Sequence, residues 1–192
     1  PEIEPTRSAK LHDMDGDGDL DLLVTNRGAS NGIFLNDGTG KFGAKTEFGA
    51  VRGSTIAVAA GDVDGDGDQD LVLANRDGQA NEILLNDGRL GFPDRKTYGT
   101  GSDETRSVAL ADVNADGILD IVTANIGEPN GVYLGEGDGS FGRASSIGGS
   151  EQSYALAVVD VDRDEDLDIV VGNARGLNAI YLNDGTGMAW QE

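Results

Sequence analysis

Asp13-Met14-Asp15-Gly16-Asp17-Gly18-Asp19-Leu20-Asp21 sets five carboxylates in nine residues. The stretch returns as Asp62-Val63-Asp64-Gly65-Asp66-Gly67-Asp68-Gln69-Asp70. It returns again as Asp112-Val113-Asn114-Ala115-Asp116-Gly117-Ile118-Leu119-Asp120 and as Asp160-Val161-Asp162-Arg163-Asp164-Glu165-Asp166-Leu167-Asp168. Oxygen-bearing side chains at positions 1, 3, 5 and 9 of a tight loop suit a hard cation. Calcium takes six to eight oxygens at roughly 2.3–2.6 Å, and a mid-loop glycine lets the chain fold around it. Without a cation such crowded carboxylates repel one another. The pattern predicts up to four bound Ca2+ ions. Their side-chain ligands are Asp13, Asp15, Asp17 and Asp21; Asp62, Asp64, Asp66 and Asp70; Asp112, Asn114, Asp116 and Asp120; and Asp160, Asp162, Asp164 and Asp168.

A helix–loop–helix calcium site is the competing reading, and position 12 argues against it. That loop closes on a bidentate glutamate. Here position 12 falls on Val24, Leu73, Thr123 and Val171, within the apolar runs Leu22-Leu23-Val24, Leu71-Val72-Leu73, Ile121-Val122 and Ile169-Val170-Val171. Short β-branched and leucine runs read as buried strands. The ninth-position aspartate therefore closes each loop, and a strand leaves directly from it.

The loops begin 49, 50 and 48 residues apart, a period that marks a propeller or another repeat array. Each period holds the same segments. A small-residue strand precedes the loop, as in Ile56-Ala57-Val58-Ala59, and the apolar strand follows it. A polar turn bounded by asparagines comes next, then a third strand such as Ile83-Leu84-Leu85. A hairpin of the type Asn86-Asp87-Gly88 supplies the positive φ that such turns need. A polar outer strand opening on Phe42, Phe92 or Phe141 ends the unit. No helical periodicity is present. The class is all-β: a β-propeller of four-stranded antiparallel blades, four repeats in this chain. The repeats fall at about 6–50, 55–100, 105–148 and 153–192, in one domain or part-propeller spanning 1–192. The last lacks most of its outer strand, which residues 1–5 are available to complete. A closed four-bladed ring, a homodimer completing a larger ring and a fragment of a larger propeller all remain open.

The loop motif, the apolar strand after it and the Phe-Gly pairs Phe42-Gly43 and Phe141-Gly142 resemble the FG-GAP/VCBS repeat family over nearly the whole chain. These are the calcium-loop repeats of integrin α-subunit heads, some fungal lectins and many bacterial surface proteins. The resemblance implies a propeller in which the backbone carbonyl at position 7, here Asp19, Asp68, Ile118 and Asp166, completes each ion's shell. It also implies a cell-surface or extracellular binding role. Two loops depart from the pattern. Loop 4 has Glu165 where the others have Gly18, Gly67 and Gly117, and loop 3 has Asn114 in place of an aspartate. A glutamate forced left-handed costs of order 1 kcal/mol, so site 4 is expected to be weaker.

The formal charge of −21 opposes nucleic acid or an anionic membrane surface as partner. Fifteen of the 35 acidic residues occupy the proposed ligand positions, so bound cations would offset a large part of it. No cysteine is present, which removes disulfides and thiolate metal sites. No apolar run reaches transmembrane length and no signal peptide is recognisable. Weak calcium loops favour an extracellular setting. The chain begins at Pro1 rather than methionine, which reads as a processed or excised product.

Two further groups of residues bear on function. Asn26, Arg27, Asn75, Arg76, Asn173 and Arg175 recur in the polar turns, opposite the loops. They form either a ring gripping an acidic saccharide or peptide, or turns satisfying themselves with arginines balancing local acids. Lys10 and His12 break the small-residue rule of the inner strands and point to a channel lining or a seam. His12 is the only histidine, and no nucleophile–base–acid constellation forms around it. The expectation is a non-catalytic adhesion module for carbohydrate or protein. A propeller domain of a polysaccharide-degrading enzyme and a structural spacer are the alternatives.

Overall fold

The computed structural model describes residues 4–192, apart from the side chains of residues 143 and 144. The described residues form sixteen strands and no helix. Sheet 1 holds β1 (Thr6–His12), β2 (Asp21–Asn26), β3 (Asn31–Phe34) and β4 (Thr46–Phe48). Sheet 2 holds β5 (Thr55–Gly61), β6 (Asp70–Asn75), β7 (Asn81–Leu85) and β8 (Asp94–Tyr98). Sheet 3 holds β9 (Thr105–Ala111), β10 (Asp120–Asn125), β11 (Asn130–Gly135) and β12 (Phe141–Ile147). Sheet 4 holds β13 (Ser153–Val159), β14 (Asp168–Asn173), β15 (Ala179–Asn183) and β16 (Trp190–Gln191). Each is an antiparallel meander in chain order. The second strand of each starts on the ninth loop aspartate, as the apolar runs require.

The innermost strands β1, β5, β9 and β13 lie against one another in that order. The core consists of three repeats of one interface. The second loop residue, Met14, Val63 or Val113, is 2% exposed and packs on the next sheet. Leu23, Ile33 and Phe48 of sheet 1 meet Val58, Leu71, Leu73 and Leu84 of sheet 2. Val72, Ile83 and Tyr98 of sheet 2 meet Val108, Ile121 and Tyr133 of sheet 3, where the two tyrosine rings sit edge to face at 5.5 Å. Val122, Val132 and Ile147 of sheet 3 meet Ile169, Val171 and Tyr181 of sheet 4. A sheet covered on both faces needs apolar residues at successive positions, which accounts for the unbroken runs in β6 and β10.

Among the described residues nothing packs on the outward faces of sheets 1 and 4. Leu11 and Leu20 on sheet 1 are 58% and 53% exposed, whereas Ala60 and Leu110, which match Leu11, pack into interfaces. On sheet 4 Val161 is 40% exposed, although its equivalents are Met14, Val63 and Val113, and Ile180 is 48% exposed. The end faces thus carry the residue types of the internal interfaces, uncovered.

Three details differ from the sequence expectation. The outer strands of sheets 1 and 2 begin at Thr46 and Asp94, not at the phenylalanine; Phe42 makes only an isolated bridge to Asn36. Pro93 has no N–H to donate to a ladder, which delays β8. These strands are polar outside but end on a buried residue, Phe48, Tyr98 or Ile147. Finally, Glu4 and Pro5 associate with sheet 1: the Glu4 carboxylate accepts from Lys45 Nζ (2.5 Å) and Asn26 Nδ2 (2.8 Å), and Pro5 O accepts from Arg27 N (3.1 Å). The expected contribution of residues 1–5 to the last unit lies largely outside the described residues. Sheet 4 closes with the two-residue β16, pairing Gln191 with Leu182 and Trp190 with Asn183.

Every innermost strand also carries a bulge at its second residue. The register skips Arg7 between Thr6 and Ser8, Ile56 between Thr55 and Ala57, Arg106 between Thr105 and Ser107, and Tyr154 between Ser153 and Ala155.

Candidate metal centre

The four acidic stretches fold as one loop shape, built by the carboxylates on their own backbone. In loop 1 Asp13 accepts from Gly16 N and Gly18 N, both at 2.9 Å; in loop 2 Asp62 accepts from Gly65 N (2.7 Å) and Gly67 N (3.0 Å). These bonds wrap the chain around its first carboxylate. They require left-handed backbone at the third and fifth residues after it, and Gly16 and Gly18 stand at φ 75° and 93°. The result brings one oxygen each of Asp13, Asp15 and Asp17, and of Asp62, Asp64 and Asp66, within 4.8 Å of one another. Such a set of hard oxygen donors fits a divalent cation.

Loop 4 reaches a similar end by other members, Asp160, Asp162 and Asp168. It does so with strain. Arg163 and Glu165 take φ of 70° and 79° where loops 1 and 2 have glycine, and the Glu165 N to Asp160 bond lengthens to 3.3 Å. In loop 3 Asp112 accepts from Gly117 N (2.8 Å) and Asp116 N (3.1 Å). Asn114 there turns its Nδ2 to Asp116 (2.9 Å), so the amide presents a donor where loops 1 and 2 present oxygen.

The ninth-position aspartates do more than a ligand role requires. Asp21, Asp70, Asp120 and Asp168 are fully buried. One oxygen of each accepts the N–H of the second loop residue: Met14 (2.8 Å), Val63, Val113 and Val161 (2.9 Å each). The other accepts the N–H that opens the hairpin: Asn36, Asn86 and Gly135 (2.8 Å each) and Asn183 (2.9 Å). Each therefore ties loop, strand and hairpin together. Asp19, Asp68 and Asp166 lie against the hairpin glycines Gly38, Gly88 and Gly185, leaving position 7 its backbone.

The electrostatics point the same way. Burial pushes the Asp70 carboxyl up to about 6 against its two N–H donors, and burial likewise raises Asp120. Asp15 is raised by desolvation and then by the charges of Asp17, Asp21 and Asp13, and Asp162 by desolvation and then by Asp164 and Asp168. Loops whose carboxylates resist ionisation together are loops that a cation relieves. By contrast the hairpin acids Asp37, Asp138 and Asp184 are held below the usual range, first by the hydroxyls of Thr39, Ser140 and Thr186.

The polar-turn residues are occupied within the fold. Asn26, Asn75 and Asn173 each donate their backbone N–H to the turn's last asparagine, Oδ1 of Asn31, Asn81 and Asn178, at 2.7–3.0 Å. Their Nδ2 groups donate to turn carbonyls. Arg27 makes a two-pronged pair with Asp77 of the next unit (2.8 and 2.7 Å), and Arg76 pairs with Glu104 (2.8 Å). Arg175 is exposed. His12 Nε2 lies 2.7 Å from Gln69 Oε1.

A feature that sequence reasoning missed lies between loop 1 and the hairpin of sheet 2. A cavity of about 510 Å³ opens there, with Met14, Leu35 and Leu90 as apolar lining and His12, Asp15 and Arg89 among its polar groups. Leu90 stands at φ 59° where the other hairpins have Gly40, Gly139 and Gly187. At the next interface Gly139 N instead donates to Val63 O (3.0 Å), and at the third Asn183 Nδ2 donates to Val113 O (2.7 Å). The lone leucine in a glycine column was the available signal.

Comparison with known proteins bears on the fold and the family. Among curated protein sequences none matches the chain. Several solved structures are similar. An Agrocybe aegerita lectin, described for its specific recognition of non-reducing terminal N-acetylglucosamine, shares 23% identity at a TM-score of 0.65, over 96% of this chain and 50% of that one. BBS1N, solved in complex with ARL6DN, gives 13% and 0.64 over 96% and 55%. The V. cholerae biofilm matrix protein Bap1 gives 17% and 0.54 over 85% and 23%. The chain thus spans about half or less of each of these neighbours. The FG-GAP-like repeat profile matches residues 13–73, 62–123 and 112–171, each match running from one acidic loop into the strand beyond the next, and the chain belongs to that family.

Proposed function

We propose that this chain is a calcium-loaded, non-catalytic carbohydrate-binding module whose four sheets are consecutive blades of a β-propeller. The observation that carries the reading is the convergence of three carboxylates in loops 1 and 2 beside an apolar-floored cavity. Asp13, Asp15 and Asp17, Asp62, Asp64 and Asp66, and in loop 4 Asp160, Asp162 and Asp168 would hold the ions. Bound calcium would neutralise the loops and fix their shape. Apolar floor plus ringed donors and acceptors is the lining that a sugar, with one apolar face and an equator of hydroxyls, requires. The lectin likeness supports carbohydrate over other ligands, and the biofilm matrix likeness supports an extracellular setting. The only histidine spends its Nε2 on Gln69, which supports binding rather than turnover. No helix among the described residues is long and apolar enough to cross a membrane.

A glycan array probed in millimolar calcium and again in EDTA tests this. Binding to a defined sugar in calcium that is lost in EDTA is expected. A blank array in both conditions would replace the reading with a protein-binding or spacer role. Cleavage of a uronic-acid polymer would replace it with an enzyme's propeller domain.

The uncovered end faces support a ring that continues beyond this chain. Sheet 4 presents Val161 and Ile180 as a sheet does to its successor, and sheet 1 presents Leu11 and Leu20 as a sheet does to its predecessor. In a solution of this chain alone a second copy fills both positions. Light scattering is expected to give twice the chain's 19.9 kDa, and Leu11→Lys with Val161→Lys to give the single mass. A wild-type mass of one chain at micromolar concentration would reject the dimer.

A further inference from the structure

The four bulges in the innermost strands do one thing together. An extra residue in one strand escapes the ladder and is re-aimed, a device concentrated beside binding and active sites. Here the four re-aimed residues are Arg7, Ile56, Arg106 and Tyr154, one at the same position of each inner strand. They line a single cavity of about 380 Å³ to which all four inner strands contribute. Lys10, Ser8 and Ser107 line it as well, and no carboxylate among the described residues does. In a chain with 35 acidic and 14 basic side chains, three cations gathered without an acid is a local inversion of the overall field.

Among the described residues these cations enter no ion pair. The ion pairs among the described residues are Arg27–Asp77, Lys45–Glu4, Lys45–Glu47 and Arg76–Glu104, and none involves Arg7, Lys10 or Arg106. Arg106 stacks its guanidinium on the Tyr154 ring at 4.6 Å from the centroid. Stacking fixes the guanidinium plane and leaves its edge donors free, the geometry that grips a carboxylate with two parallel bonds. Arg7 and Lys10 are exposed, so they stand open to an entering anion.

We propose that this inner-strand cavity is a second binding site, for the carboxylate of an acidic saccharide such as a uronic-acid residue. Arg106 and Arg7 clamp the carboxylate, Lys10 adds a third positive charge, and Ser8, Ser107 and the exposed Tyr154 ring meet hydroxyls and the sugar face. The anion specificity stands on the bulges and cations alone. The saccharide part rests on the carbohydrate reading above. Because the whole chain is strongly negative, anions are repelled at long range, and binding here must come from these groups at contact.

The test is calorimetric titration of the full chain, in calcium, with three probes: digalacturonic acid, its neutral galactose counterpart and a short glutamate peptide. Digalacturonate is expected to bind and the neutral disaccharide to bind at least ten-fold more weakly at this site. Arg106→Gln and Arg7→Gln should each weaken digalacturonate roughly ten-fold. Arg27→Gln, whose arginine is paired elsewhere, should leave it unchanged. All three side chains are well exposed or lie on the cavity wall, so melting curves report folding separately, and Lys10→Gln provides a second variant on a different residue. Equal binding of the neutral sugar, or digalacturonate binding indifferent to Arg106→Gln and Arg7→Gln, overturns the proposal. Capture of the glutamate peptide but not of digalacturonate overturns the saccharide assignment and leaves an acidic-peptide site. A calcium-dependent glycan-array signal that survives Arg106→Gln separates this site from the loop cavity, so either can fail without the other.

Discussion

EDTA should lower the melting temperature of this chain by roughly 10–20 °C. An ion that binds only the folded state stabilises it by about 2.7 kcal/mol when present at a hundred times its dissociation constant. On the calcium reading, loops 1 and 2 alone, whose three carboxylates converge without strained residues, are expected to contribute about 5 kcal/mol at that saturation. That is a large part of the ~5–15 kcal/mol by which a domain is stable at all, and each kcal/mol moves a chain of this length by about 2–4 °C. Loop 3, with its turned Asn114 amide, and loop 4, with Arg163 and Glu165 left-handed, should fill last as calcium is added back. Scanning calorimetry with stepwise calcium decides the matter: an unchanged melt in EDTA means the loops hold no structural ion.

The second large effect is expected from Asp70→Ala. Asp70 has both oxygens committed to backbone donors, Val63 N and Asn86 N, at 2.9 and 2.8 Å in a fully buried position. Its removal strands both donors at about 1–3 kcal/mol each and also deprives loop 2 of a ligand. The expected loss is on the order of 10 °C in calcium. Asp66→Ala, at an exposed ligand position in the same loop, should cost stability in calcium and little in EDTA. Urea melts of the two variants with and without calcium separate the roles. Equal behaviour in EDTA would show that the ninth position acts through the ion alone.

Much of this fold is written plainly in the chain because its signals are local. The runs Leu71-Val72-Leu73 and Ile121-Val122 became central strands, and the Asn-Asp-Gly hairpins appeared where positive φ was needed. The convergence of carboxylates in loops 1 and 2 was legible for the same reason, since spacing within nine residues is enough to fold Asp13, Asp15 and Asp17 toward one another. What depends on a partner strand was not legible. The apolar patterning of β5 conceals that Ile56 is skipped by its neighbour, so the equivalence of Arg7, Arg106 and Tyr154 emerges only from the register. The clamp function of the ninth aspartate was hidden too, because its second partner, at Asn86, lies sixteen residues away. The chain alone left open whether Arg27 and Arg76 grip a ligand or balance local acids, because the acids concerned, Asp77 and Glu104, belong to the following units.

The repetition of one interface three times has a consequence for how the chain comes apart. Among the described residues each sheet packs its core against its sequence neighbours, so its stability is approximately its own plus that of the seams on either side. Sheets 2 and 3 own two seams each, while sheets 1 and 4 own one and finish on the short strands β4 and β16. Once the paired copies have separated, opening of each begins at the ends and advances one sheet at a time, and Val72, Tyr98, Ile121 and Tyr133 make the last seam to part.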